Sequence, residues 1–281
     1  MNGLTFSQKI LGAKAGKTVV PGEIVDVTPD VAMSHDNTAA IAKTFRSIGV
    51  DKLFDPDLHV VVLDHCAPAA NEKFAANHKE IRAFVAEQGI EAFYDVAAGV
   101  CHQVLVEQGF ALPGRLMVGS DSHTTSYGAL GAFSTGIGRS EMAVIMATGK
   151  IWLRVPETMK IEARGRFVPG VYPKDLILKI IGDIGADGAS YQAVEFHGNV
   201  ASLSIEERFT ISNMGIEMGA KVAAFPVDDA TRTYLKSVGI EESSYEPLWA
   251  DDDATYVREL EYDLSTIGPV VAFPHTVDNV K

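Results

Sequence analysis

The stretch VGSDSHTTSYGALGAFSTGIG, residues 118–138, places an acid, a histidine and several hydroxyl groups directly after an apolar run. The apolar run, Leu116–Val118, is predicted to be a strand, and glycines recur further along the quoted stretch. In open α/β sheets, chemistry collects in the loops that follow the carboxyl ends of the strands, because those loops are free to converge. The stretch therefore predicts a functional loop at the end of a buried strand.

A second predicted strand ends in the same way. The run HVVVL, His59–Leu63, reads as a buried strand, and Asp64 and His65 follow it at once. A helix is predicted over 71–88, because Asn71 suits the N-cap and Gly89 suits the end. Alternating strands and amphipathic helices indicate an α/β fold with largely parallel sheets.

The pattern changes near residue 155, and we predict two domains, 1–160 and 161–281. Before the change, Ser140 is predicted to cap a helix over 141–153. Ser204 and Glu207 form a capping box, which predicts the start of a helix that runs to about residue 218. The other predicted elements of the second half are strands at 159–167, 193–196 and 221–225, helices at 173–184 and 229–238, and an acidic surface loop at 240–256.

Composition narrows the classes of function. The chain has 281 residues, two cysteines and a formal net charge of −13. The negative charge argues against nucleic-acid binding, although a local basic pocket can still take a small anionic substrate. No apolar run is long enough for a membrane span, and no signal peptide is expected. Two cysteines without a disulfide framework fit a cytoplasmic protein.

Each candidate site residue has an ordinary structural explanation when it is taken alone. His102 begins a predicted helix, and Asn213 and Glu217 lie four residues apart, on one face of the capped helix. Asp121, Ser122 and His123 also raise the alternative of a serine hydrolase. Three consecutive residues do not easily form a linear relay, and G-x-S-x-G is absent, so we disfavour that alternative.

Taken together, four motifs resemble one known family. DH at 64–65, GVCHQ at 99–103, GSDSHT at 119–124 and NMGIEMGA at 213–220 occur in the order found in the aconitase superfamily. The nearest resemblance is to its branch of 3-isopropylmalate dehydratase and homoaconitase large subunits. The resemblance implies aconitase-like three-layer α/β/α domains with largely parallel sheets. The Asp/His loops would belong to the first domain, and Asn213 and Glu217 to the second.

The resemblance also implies the chemistry. Such enzymes are hydro-lyases that isomerise a 2-hydroxy di- or tricarboxylic acid by dehydration and rehydration, with a [4Fe-4S] cluster as Lewis acid. The expected activity is 3-isopropylmalate dehydration in leucine biosynthesis, with homoaconitase and dimethylmalate- or citraconate-type hydratases as alternatives. The family pattern implies three catalytic pairs, with His65 as the proton donor, and three substrate-binding residues. The pairs are Asp64 with His65, Asp121 with His102, and Glu217 with His123; the substrate-binding residues are His35, Ser122 and Asn213.

The sequence departs from the family at the cluster ligands. Cys66 and Cys101 do not match the ligand positions and lack C-x-x-C spacing, so we expect both to be small buried core residues. We therefore expect the cluster-ligand domain to be missing, no cluster on this chain, and no activity without a partner. That partner would be the small subunit with the swivelling domain. A clusterless module that binds RNA is the alternative from another class, which the net charge disfavours.

Overall fold

A computed structural model describes residues 3–281 of the chain. The eleven strands of this part of the chain are β1 (Ile24–Val27), β2 (Val31–Ser34), β3 (His59–Val62), β4 (Phe93–Tyr94), β5 (Leu116–Gly119), β6 (Phe133–Gly136), β7 (Ile151–Arg154), β8 (Thr158–Arg164), β9 (Ala193–Gly198), β10 (Val222–Ala224) and β11 (Arg258–Asp263). The α-helices are α1 (Phe6–Ala15), α2 (Thr38–Ser47), α3 (Glu72–Gln88), α4 (Cys101–Glu107), α5 (Arg139–Thr148), α6 (Pro173–Ile184), α7 (Ile205–Asn213) and α8 (Asp229–Ser237). None of these helices is long and apolar enough to traverse a bilayer.

The first sheet contains five parallel strands in the order β4-β3-β2-β5-β6. Every residue of β2, β3 and β5 is buried, as expected for parallel strands whose two faces are both covered. The chain proceeds from β2 outward to β4, then returns to the other side of β2 as β5. The order therefore reverses between β2 and β5, and the loops that leave these strands flank a topological switch point.

The second sheet contains four parallel strands in the order β10-β9-β8-β11. Together with the first sheet it confirms the predicted α/β class with largely parallel sheets. A separate antiparallel pair joins β1 to β7. β8 runs across residue 160, where we placed the domain boundary, and the division into two domains stays a prediction.

A 3-10 helix over Ser122–Leu130 links the site loop to the second sheet. The backbone N–H of Phe225 donates to the carbonyl of Gly128 at 2.9 Å. A Cβ atom on Gly128 would lie 2.0 Å from the Ala223 carbonyl oxygen, so only glycine allows this approach. The loop that follows β5 is thus fixed against the backbone beside β10.

The local sequence signals had mixed outcomes. Asn71 caps α3 by accepting from the Phe74 N–H, and Gly89 ends that helix, both as predicted. The capping box of Ser204 and Glu207 is also confirmed. The predicted helix over 141–153 is wrong at both ends, because Gly138 takes the N-cap and Gly149, with φ of +70°, stops the helix. The following residues alternate between buried and exposed, and they form β7 instead.

A buried histidine at the start of β3 makes the fold sensitive to acid. His59 is 1% exposed, and neither ring nitrogen has a hydrogen-bond partner among residues 3–281. Burial lowers the pKa of His59 to about 4, against a small opposing effect of Asp55. In the unfolded chain His59 takes up a proton near pH 6.5. In the folded chain it does not accept that proton until about pH 4. Stability from this group is therefore lost as the pH falls through that window.

We expect His59→Leu to weaken this acid sensitivity. Between pH 7 and pH 5, urea unfolding of the variant should lose about 2 kcal/mol less free energy than the parent chain loses. His275→Leu, at an exposed histidine, is the matched control and should leave the pH dependence unchanged. Equal pH dependence in His59→Leu and the parent would contradict the assignment.

Candidate active site

Side chains from four segments meet at the switch point of the first sheet. His35 follows β2, Asp64 and His65 follow β3, and Asp121 follows β5. His102 joins them from the first turn of α4. The convergence arises because the carboxyl ends of neighbouring parallel strands lie along one edge of the sheet.

His65 lies between two carboxylates. Its Nδ1 is 2.6 Å from Asp64 Oδ1, and its Nε2 is 3.2 Å from Asp121 Oδ2. The hydrogen bonds to Asp121 and Asp64 raise the pKa of His65 to about 10, against the opposing effect of burial. Burial opposes ionisation of Asp64, but the hydrogen bonds from His65 and Cys101 together outweigh it and lower the pKa of Asp64 to about 2. At neutral pH the ring is therefore an imidazolium with a proton on each nitrogen.

Asp121 holds two imidazoles, not one. Its Oδ1 lies 2.8 Å from His102 Nε2 and accepts the His123 backbone N–H at 2.8 Å, while Oδ2 faces His65. Burial disfavours the charged carboxylate, yet the hydrogen bonds from His102 and His65 hold its pKa well below the usual range. The family resemblance implied a separate acid for each imidazole, whereas in the structure Asp121 contacts both His65 and His102.

Tyr127 is a site residue that the sequence reasoning missed. Its hydroxyl lies 3.0 Å from His102 Nδ1, and burial raises the pKa of this fully buried side chain. The Tyr127 hydroxyl and the Asp121 carboxylate thus contact the two ring nitrogens of His102, whose Nε2–H donates to Asp121. A buried tyrosine among small residues has the same sequence signature as a core residue, so no pattern singled it out.

His123 is hydrogen-bonded to a backbone group and also contacts its predicted acid, Glu217, as an ion pair. Its Nδ1 donates to the Asn213 carbonyl at 3.1 Å, whereas its Nε2 lies 3.8 Å from Glu217 Oε1. The second distance is an ion-pair contact and too long for a hydrogen bond. Glu217 does not share a helix face with Asn213, because α7 ends at Asn213 and a 3-10 turn follows. The Asn213 side-chain amide donates to Ser126.

The two remaining predicted site residues, His35 and Ser122, differ in how far their side chains are exposed to a ligand. The His35 ring stacks on His65 with 3.9 Å between centroids, and its Nε2 faces the Ser120 carbonyl at 3.2 Å. Burial first, and the charge of His65 second, lower the pKa of His35, so this ring is neutral. Ser122 is exposed beside a cavity of about 370 Å³, and within residues 3–281 its hydroxyl has no hydrogen-bond partner. It therefore forms no serine–histidine relay with His123.

A larger cavity, of about 620 Å³, opens beside His65 and has a basic lining. Three cationic side chains border it: Lys43, Lys73 and Arg139. Lys43 pairs with Glu80 at 3.3 Å, whereas Lys73 and Arg139 form no ion pair with any residue in the described range. We refer to this space as the basic cavity. It is a local concentration of positive charge on an acidic chain, which suits an anionic ligand.

The two cysteines do not suit an iron–sulfur cluster. Cys101 is buried as predicted, and its backbone N–H donates to Asp64; burial, reinforced by Asp64, raises the pKa of its thiol. The prediction of a buried core residue is wrong for Cys66, which is partly exposed and lines the basic cavity. Burial and the nearby Asp36 raise the pKa of its thiol as well. Two cysteines, 35 residues apart and without C-x-x-C spacing, do not supply the thiolate set that holds a [4Fe-4S] group.

Ligand atoms of four residues also lie within 4.8 Å of one another: His35, Asp36, Asp64 and His65. The oxygens of both carboxylates already accept hydrogen bonds from backbone amides or imidazoles. The group therefore suits a hydrogen-bond network better than it suits a metal ion.

The sequence of this chain matches a known protein family and several named relatives. The aconitase family (aconitate hydratase) matches residues 8–281. The chain belongs to the aconitase family. Among family members, it is 49% identical over 281 residues to "3-isopropylmalate dehydratase large subunit 1" of Methanopyrus kandleri, covering 99% of this chain and 66% of that protein. It is 48% identical over 254 residues to "Probable methanogen homoaconitase large subunit" of Methanosarcina mazei, covering 90% of this chain and 64% of that protein.

One solved structure supports the fold alone. "Crystal structure of Thermococcus kodakaraensis aconitase X (holo-form)" superposes with a TM-score of 0.50 at 11% identity, over 92% of this chain and 62% of that one. The predicted aconitase-like fold and the family resemblance are thus confirmed. The chain spans about two thirds of the length of the curated relatives that it matches.

Proposed function

We propose that this aconitase-family chain supplies the histidine-bearing portion of a hydro-lyase large subunit. The reaction is the dehydration and rehydration of a 2-hydroxy di- or tricarboxylic acid, with 3-isopropylmalate as the first candidate substrate. The observation that carries the proposal is the His65 imidazolium held between Asp64 and Asp121. The alternatives are homoaconitate chemistry and dimethylmalate or citraconate chemistry. The names of the relatives support 3-isopropylmalate and homoaconitate chemistry.

His65 serves as the proton donor. Hydroxide is a poor leaving group near neutral pH, so its departure requires a proton from a positioned acid. The Nε2 contact at 3.2 Å is longer than the Nδ1 contact at 2.6 Å, so the proton on Nε2 is the one that moves to the substrate hydroxyl. Asp64 keeps the Nδ1 proton and fixes the ring. The proton on the neighbouring carbon goes to a base that the small-subunit partner would supply. In the reverse direction, that base returns its proton to carbon, and neutral Nε2 takes a proton from the water that adds.

The other residues position the substrate. His102 fixes Asp121 from the side opposite His65, and His123 borders the substrate with Glu217 nearby. Ser122 offers a free hydroxyl to a substrate carboxylate, and His35 supports the His65 ring by stacking. Asn213 acts by orienting His123 through its backbone carbonyl. The basic cavity receives the far carboxylate.

The cofactor and the partner are further parts of this proposal. Membership of the family implies a [4Fe-4S] cluster in the full-length proteins. Because the two thiols of this chain do not fit that group, none of the steps above passes through it. The large-subunit names of the relatives indicate a small-subunit partner, and we place the enzyme in the cytoplasm.

A chimaera tests the proposed function. These 281 residues would replace the matching two thirds of the Methanopyrus kandleri large subunit, co-expressed anaerobically with its small subunit. Formation of an unsaturated acid from 3-isopropylmalate, homocitrate or 2,3-dimethylmalate is followed by ultraviolet absorbance. Turnover of one of these acids, lost in the His65→Gln version, is the expected result. A folded, assembled chimaera with no turnover, beside an active parent enzyme, would contradict the proposal.

Substitution of Arg139 tests whether the basic cavity binds the far carboxylate of the substrate. In the chimaera, Arg139→Gln should raise KM about tenfold while kcat changes less than about twofold, because a charge-assisted contact to the far carboxylate is lost. Lys73→Gln should act in the same direction. Arg46→Gln removes a surface cation that pairs with Glu87, and it is the matched control. An unchanged KM in both cavity variants would remove the cavity from the binding site.

A further inference from the structure

A buried pair outside the predicted site contacts the loop that carries Asp64 and His65. Asp36 follows β2 and is 8% exposed, and His78 lies on α3 and is 4% exposed. His78 Nε2 is 2.6 Å from Asp36 Oδ1. No sequence pattern predicted this pair, because the two residues are 42 positions apart and each resembles an ordinary core or turn residue.

The other carboxylate oxygen of Asp36 accepts hydrogen bonds from the backbone of the loop that carries Asp64 and His65. Asp36 Oδ2 accepts the N–H of Asp64 at 3.0 Å and the N–H of His65 at 2.8 Å. One carboxylate therefore joins two consecutive amides to an imidazole on a helix. A buried carboxylate that accepts three hydrogen bonds is well compensated for the loss of water, so the arrangement is rigid.

We propose that Asp36 and His78 are positioning residues that fix the Asp64–His65 loop and hold the His65 ring between Asp64 and Asp121. The adjacent residue His35 stacks on the same ring. His35 therefore contacts the loop through the face of its imidazole, and Asp36 contacts it through its carboxylate. The role of His65 as proton donor rests on the proposed function. The positioning itself does not, because it concerns only the geometry of this chain.

Histidine NMR on the 281-residue chain tests the pair. In Asp36→Ala and in His78→Leu, the titration midpoint of His65 should fall by about one pH unit or more, because the ring leaves its two carboxylates. Asp36→Asn keeps an oxygen for the two amides and should restore most of the elevation. Glu87→Ala removes an exposed acid that lies on the same helix as His78 and pairs with Arg46, and this variant should change nothing.

Amide hydrogen exchange separates this proposal from the proposed function. The Asp64 and His65 amides should exchange slowly in the parent and about tenfold or more faster in Asp36→Ala. If Asp36→Ala does not fold, His78→Leu decides by the same two readouts. If His65 of the parent titrates near 6.5 while exchange is still faster in the variants, the proton-donor role of His65 fails and the positioning role of Asp36 and His78 stands. Unchanged titration and unchanged exchange in the folded variants would overturn the pair.

Discussion

Replacing Asp121 with asparagine will lower the pKa of His65 towards its ordinary value and slow turnover by the chimaeric enzyme about 10³-fold. The variant removes the charge that His65 and His102 share, while its amide oxygen can still accept the His123 N–H that begins the 3-10 helix. The fold should therefore survive, and the loss should appear in kcat. Histidine NMR and steady-state kinetics on the same variant check both parts.

The pH dependence of stability provides an independent check of Asp121→Asn. The folded pKa of His65 is raised, so its contribution to stability is fully present below about pH 6.5 and is lost as the pH rises towards 10. In the variant this alkaline loss should be smaller than in the parent chain. Asp95→Asn, at an exposed surface pair, is the control. Turnover of Asp121→Asn within about tenfold of the parent would contradict the role of the shared carboxylate.

Replacing Arg208 with alanine will destabilise the chain by about 3–5 kcal/mol. Its side chain is 0% exposed, and the guanidinium donates to the carbonyls of Val200 and Pro226 and to Asp228. Truncation leaves a cavity, removes a donor from the carbonyls of Val200 and Pro226, and leaves the Asp228 carboxylate without its cation. Urea unfolding at neutral pH measures the loss.

Arg208 also links stability to the site. It lies on α7, and the last residue of that helix, Asn213, orients His123. We therefore expect the His123 ring signal to shift in Arg208→Ala even where the chain remains folded. Arg232→Ala, on the neighbouring helix α8 with exposed acidic partners, should unfold at nearly the parent urea concentration. Equal midpoints for Arg208→Ala and the parent would contradict the structural role.

Local signals predicted the parts of the fold that local physics determines. Asn71, Gly89 and the Ser204–Glu207 box mark helix ends correctly, because capping depends on residues within one turn. The strand β7 was missed, because Ile151–Arg154 continues the apolar pattern of α5, and only its pairing with β1 makes it a strand. Non-local pairing of this kind leaves little trace in a short window of sequence.

The same division applies to the candidate site. Motifs at strand ends pointed to Asp64, His65 and Asp121, and the family resemblance added His102. The structure brings these four together. The sharing of Asp121 by two rings was missed, because it depends on which loops meet at the switch point. Tyr127 and the Asp36–His78 pair were missed because buried polar residues are recognisable only through their partners.

The most direct test is the titration of His65 by NMR in the unmodified chain. We predict that the ring remains positively charged at pH 8, with both nitrogens protonated and a midpoint well above 6.5. A ring that is neutral at pH 8 and titrates at or below 6.5 would contradict the claim that two carboxylates hold a proton donor at this site.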